Sequence, residues 1–511
     1  MTQNPNTEHI PQEQFAFVQL DTVLHDKKLD TKSRGYFADA FLRFKKNKSS
    51  VVAAVIIAFL ILYALIAPVI SRYDIKDKDT VYKNYAPYIR PIAELGLGIF
   101  DGGVIHESQN DIAYARWNAI GQETGMNPII DVISTTEKTV KWRGQDRVEH
   151  YYKLKTNKYY ETGIVYRVLS YDEFDRIQKW QLENDIQVIY PYVESQDICG
   201  ITDDPNIWYQ VSDSKGTPVT DKDGNLIPAY STNAEREGAE YYSKRIEGDP
   251  GNYIYSVRKS GSVQVRLSYY NYYHFVNGYE PMYIFGTNEM GQDLFTAIGV
   301  GARFSLIFAI VVSSINLFIG AIYGAIQGYY GGAVDLVMDR IADILSGLPF
   351  VVCVTLFQLH LASRVGVVPA FLFAFVLTGW IGMAALTRKQ FYRFKGQEYV
   401  LAARTLGASD RRLMFKHILP NSLGTIITSC ALVIPSVVSS ETNLTYLGII
   451  NLSDFAGTSI GQLLSQGQTA ATTAPHALFF PTLFFSLLLI CFNLFGNGLR
   501  DAFNPSTRGQ E

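Results

Sequence analysis

Between two apolar segments lies a polar and basic sequence, EYVLAARTLGASDRRLMFKHILPN, at residues 398–421. The small side chains of Ala402 and Ala403 allow another protein to approach closely. Gly407 is suited to end a short helix, because glycine takes the left-handed cap conformation without strain. Pro420 is expected to stop the chain before the next apolar segment begins. These features predict a docking surface rather than a catalytic site.

The apolar residues of this chain are strongly segregated. Hydrophobic residues make up 48% and charged residues 18% of its 511 positions. Six apolar runs have about the length that a bilayer requires, at about 51–70, 303–327, 335–360, 366–387, 422–445 and 477–497. About 50 residues precede the first run, so we interpret it as an uncleaved helix and not as a signal peptide. The pattern predicts an all-α polytopic membrane bundle of six transmembrane helices.

Lys and Arg residues are concentrated before the first run and in residues 388–421, which we call the docking loop. The loop at about 446–476 contains neither residue type. Because cytoplasmic loops carry an excess of Lys and Arg, the docking loop is predicted to be cytoplasmic. With an even number of spans, both termini are then predicted to lie in the cytoplasm, and the region after the first run is predicted to lie outside. The protein is expected in the plasma or inner membrane.

The composition argues against several classes of function. A formal net charge of −3 does not suit a nucleic-acid partner. Three of the four cysteines lie in apolar runs, and Cys199 alone cannot form an internal disulfide in the external region. The sequence contains no Walker phosphate loop, no HExxH motif and no paired-cysteine metal spacing. We therefore expect a non-catalytic chain that binds no cofactor or metal itself.

The sequence divides into five regions. They are a polar tail at 1–33, an interfacial helix with the first transmembrane helix at 34–70, an extracellular α+β domain at 71–285, a helical core at 286–500 and a cytoplasmic tail at 501–511. Aromatic and basic residues on opposite faces indicate the interfacial helix. A cytoplasmic extension of the first transmembrane helix is an equally open interpretation.

The external region alternates strand-like pieces with turn signals, at 164–169, 186–192, 214–216 and 223–224. Ser170 and Glu173 have the spacing of a capping box, and they precede Phe174, Ile177 and Gln181 on one helical side. Tyrosine is unusually frequent here, with 25 of the chain's 33 tyrosines. Such residues either form a binding surface or pack a small core, and the sequence leaves both open.

Gly320, Gly324 and Gly328 recur every four residues and predict a helix face that packs at backbone distance. The partner is either another helix of this chain or a second subunit. Asp335, Asp339 and Asp343 also share one helix face, where Arg340 is placed to neutralise part of their charge. The two interpretations of this acidic row are an ion relay and a structural role.

The fifth apolar run contains Pro435, followed by Ser436, Ser439, Ser440 and Glu441. Proline bends a helix, and the serine hydroxyls can satisfy the backbone groups that it frees. This pattern predicts a gate beside a pathway. Glu441 is expensive in a membrane unless it faces water or a partner, so it either lines the outer pathway or makes a structural hydrogen bond.

Several motifs together resemble one family. The small-residue and glycine pattern of the docking loop, with Ile418 and Pro420 in an I-x-P element, is similar to the cytoplasmic signature loop of ABC-importer permeases. GTNEMGQD at 286–293 and ETNLTYLG at 441–448 resemble two further elements of peptide permeases. FNLFGNGLRDAFNP at 492–505 resembles the end of the C-type permease subunit of oligopeptide and dipeptide ABC importers.

This resemblance implies a type I importer fold, a second homologous permease subunit and peptide as the substrate. It also implies two ABC ATPase subunits, which carry ATP and magnesium, with one of them docked on Ala402, Ala403, Gly407, Ile418 and Pro420. An extracellular peptide-binding protein delivers the substrate, and membrane lipids surround the bundle. The family does not account for most of the external region, which we expect to extend the landing surface for the binding protein or to cap the pathway.

Three alternatives stay open from the sequence. Nickel permeases share the same motifs, so nickel is a rival substrate. An ion-coupled secondary transporter would use the row of Asp335, Asp339 and Asp343 and would work without ATPases. A membrane-anchored receptor would use the external region and leave the docking loop unexplained.

Overall fold

A computed structural model of this protein describes residues 36–142, 145–190, 240–245, 252–258, 262–452 and 458–503. Several features of the sequence analysis lie outside these described residues. They are the tail at 1–33, most of the tail at 501–511, Cys199 and the turn signals at 214–216 and 223–224.

The described chain begins with α1 (Tyr36–Lys46) and α2 (Lys48–Ile70). It continues with α3 (Arg90–Ala93), β1 (Gly103–Asn110), α4 (Asp111–Thr124), β2 (Ile129–Trp142), β3 (Gln145–Asn157), α5 (Lys158–Glu161), β4 (Ile164–Ser170), α6 (Tyr171–Asn184), β5 (Ile189–Tyr190), β6 (Glu240–Arg245), β7 (Asn252–Arg258), β8 (Ser262–Ser268) and α7 (Tyr269–Asn277). The remaining helices are α8 (Leu294–Tyr330), α9 (Gly332–Ser346), α10 (Phe350–His360), α11 (Ala362–Val365), α12 (Val367–Gly379), α13 (Ile381–Phe394), α14 (Glu398–Thr405), α15 (Asp410–Arg412), α16 (Leu419–Tyr446), α17 (Ile460–Thr469) and α18 (Pro475–Phe503).

Five helical segments of the described chain are long and apolar enough to cross a membrane. They are α2, α8, α12 with α13, α15 through α16, and α18. The pair α9 and α10 qualifies as a sixth span when its two helices are taken together. Each of these segments overlaps one of the six predicted apolar runs, so the chain is a helical membrane-type protein.

The third apolar run, at 335–360, is not the straight helix that its length predicts. Helices α9 and α10 meet at an angle of 72°. Pro349 stands at the N-cap of α10 and lacks a backbone N–H, and it disfavours the helical conformation at Leu348. This span is therefore broken in its middle.

Between α2 and α8 the described residues contain two antiparallel sheets. The first sheet has the strand order β1-β3-β2, and β2 pairs with β3 from Ile129↔Thr156 to Trp142↔Gln145. The second sheet has the order β4-β8-β7-β6, and β5 also pairs with β8. The predicted strand at 164–169 coincides with β4, whereas only Ile189–Tyr190 of the strand predicted at 186–192 is a strand in the described residues.

The helix that the capping pattern predicts is α6. The hydroxyl of Ser170 accepts a hydrogen bond from the backbone N–H of Glu173 at 3.2 Å. One carboxylate oxygen of Glu173, the other member of the box, accepts from the hydroxyl of Tyr272 at 2.8 Å. Gln181 accepts from the backbone N–H groups of residues 188 and 189 at 2.7 and 2.6 Å, which ties α6 to the second sheet.

Tyrosine rings form the core of the region between α2 and α8. Tyr82 is fully buried, and its ring centre lies 4.8 Å from that of Tyr85 and 5.1 Å from that of Tyr269. Burial raises the pKa of Tyr82 well above its ordinary value. Nine tyrosines are buried together in this tyrosine core: Tyr82, Tyr85, Tyr88, Tyr159, Tyr269, Tyr270, Tyr272, Tyr273 and Tyr283. For these residues, core packing is the interpretation that the structure supports.

The turn at 286–293 joins the tyrosine core to the start of α8. The hydroxyl of Thr287 donates to the carbonyl oxygen of Tyr82 at 2.6 Å. Gly291 has a φ of +75°, and a Cβ atom there would lie 2.7 Å from the carbonyl carbon of Asp79. Only glycine fits both this conformation and this close approach.

The glycine face of α8 packs against α13 of the same chain. Cβ atoms added to this face would lie within 2.6 to 2.8 Å of side-chain atoms of α13, with the pairs Gly320 and Met383, Gly324 and Thr387, and Gly328 and Phe391. Real Cβ atoms do not approach so closely, so the glycines set the distance between the two backbones.

Replacing Gly324 by Val should force α8 and α13 apart. We expect a loss of about 1–3 kcal/mol in the free energy of unfolding, measured by thermal unfolding of the full chain in detergent. Gly382→Ala is the matched control, because a Cβ atom there meets open space. Unchanged stability of Gly324→Val would show that the helices do not touch at this face.

Candidate functional site

The docking loop folds into a short helical unit. Helix α13 ends at Phe394, and α14 follows after three residues. Helix α15 then leads through a π-helical turn (Leu413–Ile418) directly into α16. Both ends of the loop therefore continue into helices of the bundle.

The structure places three of the predicted docking residues at or near the surface. Ala402 is exposed and Ala403 is half-buried in the last turns of α14. Gly407 has a φ of +82° and no atom within 4 Å of the position that a Cβ would take. Leu406, which the sequence analysis did not single out, is 88% exposed beside it. The exposed turn of the loop is therefore apolar at its tip.

The structure places Ile418 inside the docking loop and Pro420 at its surface. Ile418 is fully buried, so in this chain its side chain packs within the loop and is not presented at the surface. Pro420 is exposed but does not stop the chain, because it lies in the first turn of α16, where a missing N–H is tolerated. The preceding π-helical turn keeps the helix continuous.

A buried cluster supports the docking loop from below. It contains residues of α8, α13, α14 and the π-helical turn, namely Ala325, Tyr329, Phe391, Val400, Leu413, Met414 and Ile418. The hydroxyl of Tyr329 also donates to the carboxylate of Asp410 at 2.5 Å. The end of α8 and the docking loop therefore form one packed unit.

The outer face of this unit combines apolar and basic side chains. Leu401 is 45% exposed and Phe415 is 40% exposed. A shallow hollow beside Phe415 and Pro420 is lined by Arg411, Arg412 and Lys416. Exposed apolar side chains rimmed by charges are typical of protein-binding surfaces, and this face suits a partner with an apolar groove and acidic surroundings.

The first two members of the acidic row of α9, Asp335 and Asp339, are paired with Arg388 and not with Arg340. The guanidinium of Arg388 lies 2.6 Å from the carboxylate of Asp335 and 3.0 Å from that of Asp339. In the part of the chain that the structure describes, the ion pair of Arg340 is with Asp343, at 3.2 Å. These contacts tie α9 to α13, which favours the structural interpretation of the row over an ion relay.

Glu441 lies inside the bundle and does not face an open pathway within this chain. Its side chain is fully buried. One carboxylate oxygen accepts from the hydroxyl of Ser305 at 2.7 Å, and the other accepts from the hydroxyl of Thr445 at 3.4 Å. Of the two roles considered for Glu441, the structure supports a hydrogen bond that links α16 to α8.

Helix α16 runs through Pro435 without interruption, and Pro435 is buried. Ser436 is exposed and donates to the carbonyl oxygen of Val433 at 2.6 Å. Ser439 and Ser440 are half-buried. Pro435 and the neighbouring polar groups therefore lie within one continuous helix, and gating at this point stays a prediction.

Two substitutions should distinguish a residue that stabilises the docking loop from one that is exposed at its surface. Ile418→Ala opens a cavity in the buried cluster and should cost about 2–4 kcal/mol of unfolding free energy. Leu406→Ala removes an exposed side chain and should change the free energy by less than about 0.5 kcal/mol. Thermal unfolding in detergent measures both, and equal effects of the two variants would contradict the burial described here.

Two regions of the chain match known family descriptions. Residues 316–509 match "Binding-protein-dependent transport system inner membrane component". Residues 35–87 match "N-terminal TM domain of oligopeptide transport permease C".

The chain is also similar to named permeases. It is 41% identical over 224 residues to the oligopeptide transport system permease protein OppC of Bacillus subtilis (strain 168), which covers 44% of this chain and 72% of the relative. The dipeptide transport system permease protein DppC of the same organism is 39% identical, with 44% and 69% covered. OppC of Haemophilus influenzae is 37% identical, with 45% and 72% covered.

These matches include the bundle, the docking loop and the C-terminal helix, where the packing described above is found. The long region between α2 and α8 lies mostly outside the two family descriptions, which leave residues 88–315 unmatched. The chain therefore belongs to the family of binding-protein-dependent transport system inner membrane components and is a multi-pass membrane permease.

Proposed function

We propose that this chain is the transmembrane permease subunit of an ATP-driven importer that takes up oligopeptides and dipeptides. The observation that carries this proposal is the exposed apolar turn at Leu406 and Gly407, mounted on a buried cluster in a permease of this family. Relatives named for oligopeptide and dipeptide transport favour peptide over nickel as the substrate.

The complete importer contains more chains than this one. A second homologous permease completes the pathway, and an external binding protein delivers the peptide. Two ATPase subunits bind ATP and magnesium, so this chain needs no cofactor of its own. The basic docking loop and both termini lie in the cytoplasm, where one ATPase covers the exposed face of α14.

The packing of the docking loop suggests how ATP binding reaches the membrane. Closure of the ATPases moves α14, which rests on the buried cluster with Tyr329 at the end of α8. Helices α8 and α13 are in backbone contact at Gly320, Gly324 and Gly328, so they move as one body. The bundle then changes between two states. Nucleotide on the ATPase side and the loaded binding protein on the outer side each shift the equilibrium between these states.

An ion-coupled transporter is a weaker candidate. It needs carboxylates that can exchange their partners during transport. Asp335 and Asp339 share Arg388, and Glu441 is enclosed by hydroxyl groups. These pairings suit fixed contacts between helices.

The Leu406→Asp variant tests the docking surface. It places a charge at the apolar tip of the loop, so we expect at least a tenfold loss of the ATPase subunits that co-purify with the permease. A tenfold loss corresponds to a contribution of about 1.4 kcal/mol from the apolar contact to the binding free energy. Leu97→Asp is the matched control, because Leu97 is 64% exposed in the region between α2 and α8.

Uptake completes this test in cells that lack the chain and are complemented with the wild type or with Leu406→Asp. Labelled dipeptides to hexapeptides should enter with the wild type, should not enter with Leu406→Asp, and should not enter after ATP depletion. Uptake that survives ATP depletion but stops with an ionophore would contradict the proposal, and uptake of nickel alone would reassign the substrate.

Removing the first sheet tests the role proposed for the external region. Gly103 and Asn157 are antiparallel partners, so residues 104–156 can be replaced by a two-residue turn while the tyrosine core is kept. If the sheet extends the landing surface, affinity for the loaded binding protein should fall; if it caps the pathway, longer peptides should enter. Unchanged affinity and unchanged length preference would discard both roles.

A further inference from the structure

Three large apolar side chains are exposed together in the segment that follows α3. Leu95, Leu97 and Ile99 are 69%, 64% and 55% exposed. Single glycines separate them, and no polar side chain lies between them. We call residues 95–99 the apolar loop. Contiguous exposed apolar side chains mark a surface that binds a partner or a membrane, and neither the docking loop nor the glycine face of α8 includes this surface.

The base of the apolar loop is fixed to the tyrosine core. The backbone N–H of Ile89 donates to the carbonyl oxygen of Phe100 at 2.8 Å and closes the loop. Tyr88, the neighbour of Ile89, is buried in the tyrosine core. At Gly96 the φ is +66°, and no atom lies within 4 Å of the position that a Cβ would take. The loop therefore projects into open space from a fixed base.

Contacts of this base place it at the end of the membrane helix α2. Arg90, the first residue of α3, forms an ion pair with Glu280. The hydroxyl of Tyr279, the preceding residue, donates to the carbonyl oxygen of Arg72 at 3.2 Å. Arg72 is the second residue after α2, whose last residue, Ile70, is 72% exposed. The base is therefore linked to the end of a span that has an exposed apolar face.

A second set of contacts leads from the same base to α18. The backbone N–H of Tyr88 donates to the carbonyl oxygen of Tyr283 at 2.9 Å. Two residues further on, the ring of Phe285 stacks on that of Phe480 in α18, with ring centres 4.3 Å apart. Because α2 and α18 are both membrane spans, the two sets of contacts place the base close to the membrane boundary.

The charged side chains at the base are paired within the chain. Arg90 pairs with Glu94 and Glu280, and Lys155 pairs with Asp101. Among these described contacts, two cations accompany three carboxylates, so the base does not attract an anionic surface. The apolar loop itself has no side chain that could form a hydrogen bond to orient a protein partner. This composition suits contact with the apolar part of a bilayer.

We propose that the apolar loop inserts into the lipid bilayer beside α2 and holds the region between α2 and α8 against the membrane surface. Leucine and isoleucine side chains gain free energy when they leave water. An irregular loop can enter only the headgroup and upper acyl region, where water still reaches its backbone groups. Since carboxylates outnumber cations at the base, insertion depends on apolar contact and does not require anionic lipid.

Fluorescence quenching by labelled lipid tests the insertion, with the purified full chain in phosphatidylcholine nanodiscs. Leu97→Cys, in a background without the four native cysteines, carries an NBD fluorophore. Its emission should be blue-shifted, and it should be lost when the lipid carries a doxyl group near the headgroup. A doxyl group at the end of the acyl chain should quench less, because the loop enters only the upper part of the bilayer.

Val148→Cys with the same fluorophore is the matched control. Val148 is also apolar and is 54% exposed. It lies in β3, seven residues from Lys155, whose Nζ is next to Gly98. Seven residues of a strand span about 23 Å. A probe at position 148 should therefore emit as in water and should not be quenched by either labelled lipid.

Leu95→Asp tests the cause of the insertion while the fluorophore stays at position 97. Loss of one buried leucine should shift the equilibrium between inserted and free loop about tenfold or more towards water. Quenching by the lipid should fall accordingly, whereas Val148→Asp should leave it unchanged. Leu95 and Val148 are both exposed, so neither variant should lower the thermal stability of the chain, and thermal unfolding checks this.

Four results would overturn the proposal. They are no quenching by doxyl lipid, quenching that appears only with anionic lipid, unchanged quenching in Leu95→Asp, and equal quenching at position 148. A blue-shifted emission without lipid quenching would also overturn it and would show that protein covers the loop. Because neither transport nor the capture of ATPase subunits is measured, each of these results would leave the proposed permease function intact.

Discussion

Contact at backbone distance between α8 and α13 is the constraint on which the rest of the bundle depends. The contact exists because Gly320, Gly324 and Gly328 present no side chains to α13. Helix α13 leads into the docking loop, and the end of α8 supports that loop through Tyr329. The position of the docking surface relative to the membrane helices therefore follows from the spacing of three glycines.

Charged side chains of the bundle hold its helices together. Arg388 joins α13 to α9 through Asp335 and Asp339, and Glu441 joins α16 to α8 through Ser305. Such groups are costly away from water unless they are paired, so each of them restricts how its helix can move. The break between α9 and α10 at Leu348 and Pro349 has no such pair among the described contacts.

Helix α8 also connects the two ends of the molecule. Its first turn is capped by Asp293 below the tyrosine core, and its last turn carries Tyr329 beneath the docking loop. Several hydroxyls of the tyrosine core find partners, such as those of Tyr159, Tyr269 and Tyr272. The hydroxyls of Tyr82 and Tyr270 are buried without a partner among the described residues. The apolar rings let a region rich in polar residues pack against the start of a membrane helix.

The sequence by itself determined the number of apolar runs, the start of α6, the shared face of the glycines and the special conformation of Gly407, because each depends on residues close together in the chain. Tertiary structure alone decided that Ile418 is buried, that Arg388 is the partner of Asp335 across 53 residues, and that the tyrosines pack inward. It also decided the exposure of Leu406. The physical reason is that burial and ion pairing depend on which distant segments come into contact, and helical periodicity and turn chemistry do not specify those contacts.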